Sequence, residues 1–355
     1  MAGEPLEGAR LCRAQALGYG LLAELLREGP SERTREGMLA SPALQEGLRS
    51  SGGELEPLQV DHEHAFGRCV FPYEGTFLDA EGRVGADRSA RLALLFEELE
   101  LRLDPRGEAL EHLSSQLLAL ATLSEREAEA LEAGRAHEAR AARAASARLL
   151  EAHLLRWLPI FAHSIRRLGR AYPSALVDQI EALVRLQWSS IAGASRASGS
   201  EPASPPERAP ALEAASWSLS GEGLSIDDPA LGLGEIAAFL ATPSRSGIFL
   251  SRDDLAELGR AHRVPRGFGS RTQTLEALLR SSSHLDAFGP LLEDLRVRLE
   301  RSLEPLEPSR YAELPAALLE PWRARLREAI AWLQELGRRA ATLEHGSEPQ
   351  RRAPR

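Results

Sequence analysis

Three observations predict an all-α fold. Apolar residues recur at three- and four-residue spacing along nearly the whole chain, and alternating strand-like runs are almost absent. Ser, Asp, Gly and Pro stand where helix caps and breaks are needed. The first helix is expected to bury Leu11, Leu17, Leu21, Leu22 and Leu25 and to end at Gly29-Pro30. Gly, Ser and Pro then dominate until Pro57, and residues 61–81 read as mixed, loop-like sequence. Asp87 opens a helix carrying Leu92, Leu95, Phe96, Leu99 and Leu103, and Asp104-Pro105 supplies an N-cap and first-turn proline for the next. That next helix repeats Leu110, Leu113, Leu117 and Leu120 on one face. Ser124 with Glu127 reads as a capping box for a Glu- and Ala-rich helix, interrupted at Gly134 and stopped by Pro159. Leu176, Ile180, Leu183 and Val184 mark one more helix, beginning near Pro173.

These segments make a helical bundle over residues 1–188. Between residues 189 and 230, Ser, Ala, Gly and Pro crowd around Pro202, Pro205, Pro206 and Pro210, the composition of a mobile linker. A smaller helical region is expected over 231–345. It comprises Leu231–Leu240, a helix capped by Ser251 with Leu255 and Leu258 inward, and one after the Gly267–Ser270 turn with Leu275, Leu278 and Leu279. Its last helix runs from Pro321 with a stripe of Trp322, Leu326, Ile330, Leu333 and Leu336. Residues 346–355 form a fraying tail.

Composition excludes much chemistry. All 43 basic residues are arginine, and the chain has neither Lys nor Asn. Lysine Schiff bases, lysine-bound pyridoxal phosphate and a Walker-A loop are therefore excluded. Cys12 and Cys69 are too few for a four-thiolate site and fit a reducing compartment. A net charge of −9, without a cluster of arginines and aromatics, makes nucleic acid a poor partner. The longest stretch free of Asp, Glu and Arg is His112–Ser124, far short of a membrane span. Glu4, Glu7, Glu24 and Arg27 break the pattern of a secretory leader, so a cytoplasmic location is expected.

Candidate chemistry is sparse. Asp61-His62-Glu63-His64 is the one dense patch of potential metal ligands, and it reads as ordinary surface histidines because no His-Glu-x-x-His companion exists. His153 and Trp157 stand one helical turn apart, which suits a ring packed on a ring. Gly232-Leu-Gly234 and Gly267-Phe-Gly269 lack the third glycine and the preceding strand of a dinucleotide fold, and no Gly-x-Ser-x-Gly elbow exists. Charge is more informative. Between Glu97 and Glu132, ten acidic residues face three arginines, a local charge of −7. Such a run is either a solvated helix face or a site for a cationic peptide, whose arginines carboxylates bind in pairs beside an apolar groove.

Phe71-Pro72-Tyr73-Glu74-Gly75 resembles the Pro-Tyr-Glu-Ser segment of the TorD/DmsD family of molybdoenzyme chaperones. Glu108-Ala109-Leu110-Glu111-His112-Leu113, followed by Gln116-Leu117, is similar to that family's Glu-x-Pro-Asp-His-Leu motif and its following Glu-Leu. His153-Leu154-Leu155-Arg156-Trp157-Leu158-Pro159 resembles its His-Leu-x-x-Trp-x-Pro stretch, and Tyr172 stands where the family carries a later aromatic. Leu110, Glu111 and Gly75 depart from the pattern, replacing its proline, aspartate and serine. The resemblance covers about Leu11–Trp188, and the region after Leu231 lies outside it.

The resemblance implies a TorD-like all-helical cytoplasmic chaperone, not an enzyme and without a cofactor. Its partner would be the apo catalytic subunit of a molybdopterin oxidoreductase with a twin-arginine leader, held back from export until cofactor insertion is complete. Peptide binding is assigned to Glu108, Glu111, His112 and Gln116, the groove wall to Tyr73 and Glu74, and packing beneath it to Trp157. The rival readings are a helical adaptor for a non-redox partner and a weak nucleotide hydrolase, the latter opposed by the absent lysine and phosphate loop. Monomer and dimer are both compatible, and the C-terminal region either completes the bundle core or forms a second lobe.

Overall fold

In the computed structural model, the described residues are 3–85, 87–102, 107–197, 217–219 and 223–347. Among them the fold is all-α, as the periodicity predicts, and the sole extended pairing is an isolated antiparallel bridge between Tyr73 and His112. The chain divides into two units. One comprises Met1–Asp79, Arg83–Trp217 and Tyr311–Leu318, and the other Ala80–Gly82, Ser218–Arg310 and Leu319–Arg355.

The first unit is built on α1 (Gly3–Glu28), α2 (Glu32–Ala40), α3 (Pro42–Ser50), α4 (Glu56–His62), α5 (Glu74–Leu78), α6 (Asp87–Glu98), α7 (Leu113–Glu132), α8 (Ala136–Ala152), α9 (Leu158–Arg166) and α10 (Ala171–Ala197). Helix α1 packs along α7, α7 along α8, and α10 against α1, α3 and α9. The buried side of α1 is Cys12, Tyr19, Leu22, Ala23 and Leu26. Leu11 and Leu17 face solvent, Leu17 with 76% of its surface exposed, contrary to expectation. Leucines occur on both sides of this helix, and polar contacts select between them. Tyr19 Oη donates to Gln187 Oε1 on α10 at 2.7 Å, and Gln187 Nε2 donates to Ser124 Oγ on α7 at 3.3 Å. Arg13 grips Glu132 with two hydrogen bonds, of 2.9 and 2.7 Å.

Several helix boundaries differ from the reading above. The segment between Gly29 and Pro57 folds as α2 and α3, because Ser31 and Ser41 are N-cap residues and Met38, Leu44 and Leu48 are buried. Within residues 61–81, a π-helical segment, Glu63–Cys69, follows α4 and precedes α5. Helix α7 starts at Leu113, capped by His112, and Asp104-Pro105 lies outside the described residues. Ser124 is no cap but an interior residue of α7, held by Gln187. Pro159 occupies the first turn of α9, where a missing N–H costs nothing, so it opens that helix instead of closing α8. Helix α10 runs through Ala197, beyond Ser189, and most of the Pro-rich stretch that follows lies outside the described residues, as do residues 348–355.

The second unit holds α11 (Leu233–Ala241), α12 (Pro243–Ser246), α13 (Arg252–Ala261), α14 (Arg271–His284), α15 (Phe288–Leu303) and most of α16 (Ala316–Ser347). Ser251 caps α13 as predicted, its Oγ accepting from Asp254 N at 3.1 Å while Asp254 Oδ2 accepts from Ser251 N at 2.8 Å. Helix α14 packs against α11, α13 and α15. Leu255, Leu258, Leu275, Leu278 and Leu279 are buried, as are Trp322, Leu326, Ile330 and Leu333 of α16.

Candidate functional site

Two short backbone segments meet at the extended bridge. Pro72 favours an extended residue before it and supplies a free carbonyl, and Leu113 N donates to Pro72 O at 2.8 Å. Glu74 N donates to Glu111 O at 3.1 Å. Tyr73 thereby becomes the N-cap of α5 and His112 that of α7, so one junction starts two helices. The His112 ring lies edge-on to Tyr73, with centroids 4.8 Å apart.

His112 Nδ1 accepts from Ser114 N at 3.1 Å, so that nitrogen carries no proton and the ring is neutral. Burial pushes the imidazole down to about 4, which keeps it neutral at ordinary pH. The Glu111 side chain is completely buried. It accepts from Gly75 N at 2.9 Å, from Ser89 Oγ at 3.1 Å and from Gly85 N. Gly75 is required there: a Cβ would lie 2.3 Å from Arg83 O and 2.7 Å from Glu111 Oε2.

Glu74 is also completely buried, and its carboxylate meets two hydrogen-bond partners and one ion-pair partner. Gln116 Nε2 lies at 3.1 Å, His153 Nδ1 at 3.1 and 3.2 Å, and Arg88 at 3.8 Å. Burial lowers the Arg88 guanidinium and the Glu74 charge opposes that effect, so the arginine compensates the carboxylate. Behind this cluster Phe77 stacks on Trp157 at 5.5 Å, and Phe161 meets both rings edge-on at 5.9 and 5.5 Å. His153 and Trp157 do not share a helix. Helix α8 ends at Ala152, a 3₁₀ turn spans Leu154–Arg156, and the two rings contact Glu74 and Phe77 respectively.

The residues selected from sequence thus fall into one neighbourhood with two layers. Glu74, Glu111, His112, Gln116 and Trp157 are buried, whereas Tyr73 and Glu108 are half-exposed. Tyr73 Oη donates to Glu108 Oε2 at 2.6 Å, and burial followed by this carboxylate raises the phenol above its ordinary range. Phe71 is exposed beside them in sequence. Arg88, Ser89 and Gly85 were missed, because no local pattern marks a residue whose role is to satisfy a distant carboxylate. Tyr172 is buried in the same unit, and a Cβ on Gly47 of α3 would lie 3.7 Å from its ring.

The Asp61–His64 patch is divided among separate partners, with Asp61, His62 and His64 half-buried and Glu63 exposed, and is not a surface histidine cluster. Asp61 pairs with Arg170, His62 Nε2 is 3.0 Å from Leu26 O, and His64 Nε2 is 3.4 Å from Cys69 Sγ. Elsewhere in this unit, α1, α3 and α10 frame an apolar cleft of about 310 Å³, lined by Leu21, Leu22, Leu44, Leu183 and Leu186. No described helix is long and apolar enough to cross a membrane.

Residues 35–163 match the family model of the nitrate reductase delta subunit, a family of redox-enzyme maturation chaperones. The matched span contains all three segments that build the junction and excludes Tyr172 and the second unit's helices α11 to α16. No curated protein and no solved structure matches the chain.

Proposed function

We propose that this chain is a cytoplasmic maturation chaperone of the TorD/DmsD kind, which binds the twin-arginine leader and the apo catalytic subunit of a molybdopterin oxidoreductase before export. The observation that carries this reading is the convergence of three separated sequence signatures on one junction, inside the segment that matches a chaperone family. The buried layer holds the two helix starts in place, and the exposed edge does the recognising. Glu108 accepts from Tyr73 through one oxygen. Its second oxygen has no hydrogen-bond partner among the described residues and would take a leader arginine, a charge-assisted bond stronger than a neutral one. The apolar cleft between α1, α3 and α10 takes the hydrophobic stretch of the leader. Binding stabilises the unexported client by mass action, with no bond made or broken.

Calorimetry of the full chain with a twin-arginine leader peptide tests this. Glu108→Ala should weaken binding by roughly tenfold or more, the worth of a hydrogen bond to a charged group. Glu98→Ala, which removes an acidic group already paired with Arg148 at 2.7 Å, should change it by less than about twofold. Equal affinity in wild type and Glu108→Ala would remove the acidic edge from the account, and no binding of any leader would remove the function.

A further inference from the structure

The turn between α13 and α14 in the second unit has no role in the reading above. Residues 265–270 are all exposed, and Phe268 at their centre has 99% of its surface in solvent. Gly267 and Gly269 flank it at φ 65° and 126°, and Arg263 before them adopts φ 54°, a conformation rare outside glycine. The base of the turn is firm. Val264 is buried and its N donates to Gly259 O at 2.9 Å, while Ser270 N donates to Gln273 Oε1 at 2.9 Å. A hydrogen-bonded base therefore carries an aromatic ring that lies almost wholly in solvent.

The charge around this tip is equally unbalanced. Arg260, Arg263 and Arg266 are exposed and, among the described residues, have no carboxylate partner. Asp254, Glu257, Glu276 and Asp294 on the packed helices are occupied elsewhere. Arg298 holds Asp254, Glu257 and Asp294 at 3.4, 3.2 and 3.1 Å, His262 also meets Asp294 at 3.2 Å, and Glu276 pairs with Arg280 at 2.5 Å. Arg271 sits at the base, its guanidinium 4.0 Å over the Phe249 ring and donating to Leu250 O at 3.1 Å.

We propose that this tip is a contact point for an anionic lipid surface, with Phe268 entering the acyl boundary and Arg260, Arg263 and Arg266 meeting headgroup phosphates. Shape separates a lipid from a protein partner. A stable protein interface covers about 800 Å² on each side, and a protruding tip of six residues offers a flat partner only its apex. A bilayer closes around such a tip, and one apolar insertion plus a few cations is the combination that gives reversible attachment. The chain's net charge of −9 opposes general adsorption, so attraction is confined to within a Debye length of the tip. This inference is independent of leader binding.

Flotation of the full chain with phosphatidylcholine vesicles, with and without phosphatidylglycerol, tests it. Binding is expected only when the anionic lipid is present. Arg263→Glu/Arg266→Glu should reduce it by more than tenfold, given about fivefold for each arginine lost. Phe268→Ser should also lose binding while Phe268→Leu retains it, and melting temperatures should be unchanged because all these positions are exposed. The proposal is overturned if anionic vesicles are ignored, or if the variants float as well as wild type. It is also overturned if the same substitutions abolish capture of a polyglutamate peptide while vesicles are never bound, which would make the tip an acidic-protein contact.

Discussion

Gly75 and Glu111 occupy one space between them. Their departures from the chaperone pattern occur together: the longer carboxylate and the Arg83 carbonyl fill the volume that a serine side chain would need. Gly75→Ser should therefore destabilise the first unit by roughly 1–3 kcal/mol, the usual cost of overpacking. Adding Glu111→Asp should recover part of that loss, and a double-mutant cycle by urea unfolding measures the coupling. His112 makes a second prediction. Its folded-state pKa of about 4 lies below the ordinary value of 6.5, so the unfolded chain binds the proton first. The stability it contributes is complete above about pH 6.5 and declines as pH falls towards 4, by about 3 kcal/mol in all. Burial lowers His62 as well, and it adds to the same slope. His112→Asn keeps an N-cap acceptor but removes the titration. Its urea midpoint should change less between pH 7 and pH 5 than that of wild type.

At the level of elements, the break between α8 and α9 turns a helical repeat into a site. Helix α8 ends at Ala152, a 3₁₀ turn spans Leu154–Arg156, and Pro159 stands in the first turn of α9, where its missing N–H costs nothing. That change sends His153 to Glu74 and Trp157 to Phe77, whereas one continuous helix would have placed the two rings side by side. Trp157 is fully buried among Phe77 and Phe161. Trp157→Ala should cost about 3–5 kcal/mol, seen as a fall in melting temperature of about 10 °C. Phe71→Ala, on the exposed side of the same junction, should change stability by less than about 0.5 kcal/mol.

Across the whole molecule, the C-terminal region is divided between the two units. Most of it forms its own unit, but Tyr311–Leu318 belongs to the first. Tyr311 Oη donates to the buried Glu181 at 2.9 Å, Arg185 lies 5.4 Å over the Tyr311 ring and pairs with Glu313, and Trp217 Nε1 donates to Ala317 O at 3.0 Å. A chain ending at Ala197 loses all of these contacts and leaves Glu181 with one acceptor unfilled inside the protein. Its bundle should melt several degrees below that of the full chain, because an unsatisfied buried acceptor costs about 1–3 kcal/mol. Equal melting would show that the returning segment contributes nothing to the bundle.

The all-α character and the starts of α6, α13 and α14 could be read from the chain because each depends on neighbours a few residues away. Periodicity and cap chemistry act over that range. The exposed side of α1, the interior place of Ser124 and the partners of Glu74 and Glu111 could not be read that way. Each was decided by residues tens of positions distant: Gln187 for Ser124, His153 for Glu74, Gly75 for Glu111. A buried carboxylate must find its donors wherever the packed chain brings them, and only the tertiary structure brings them together.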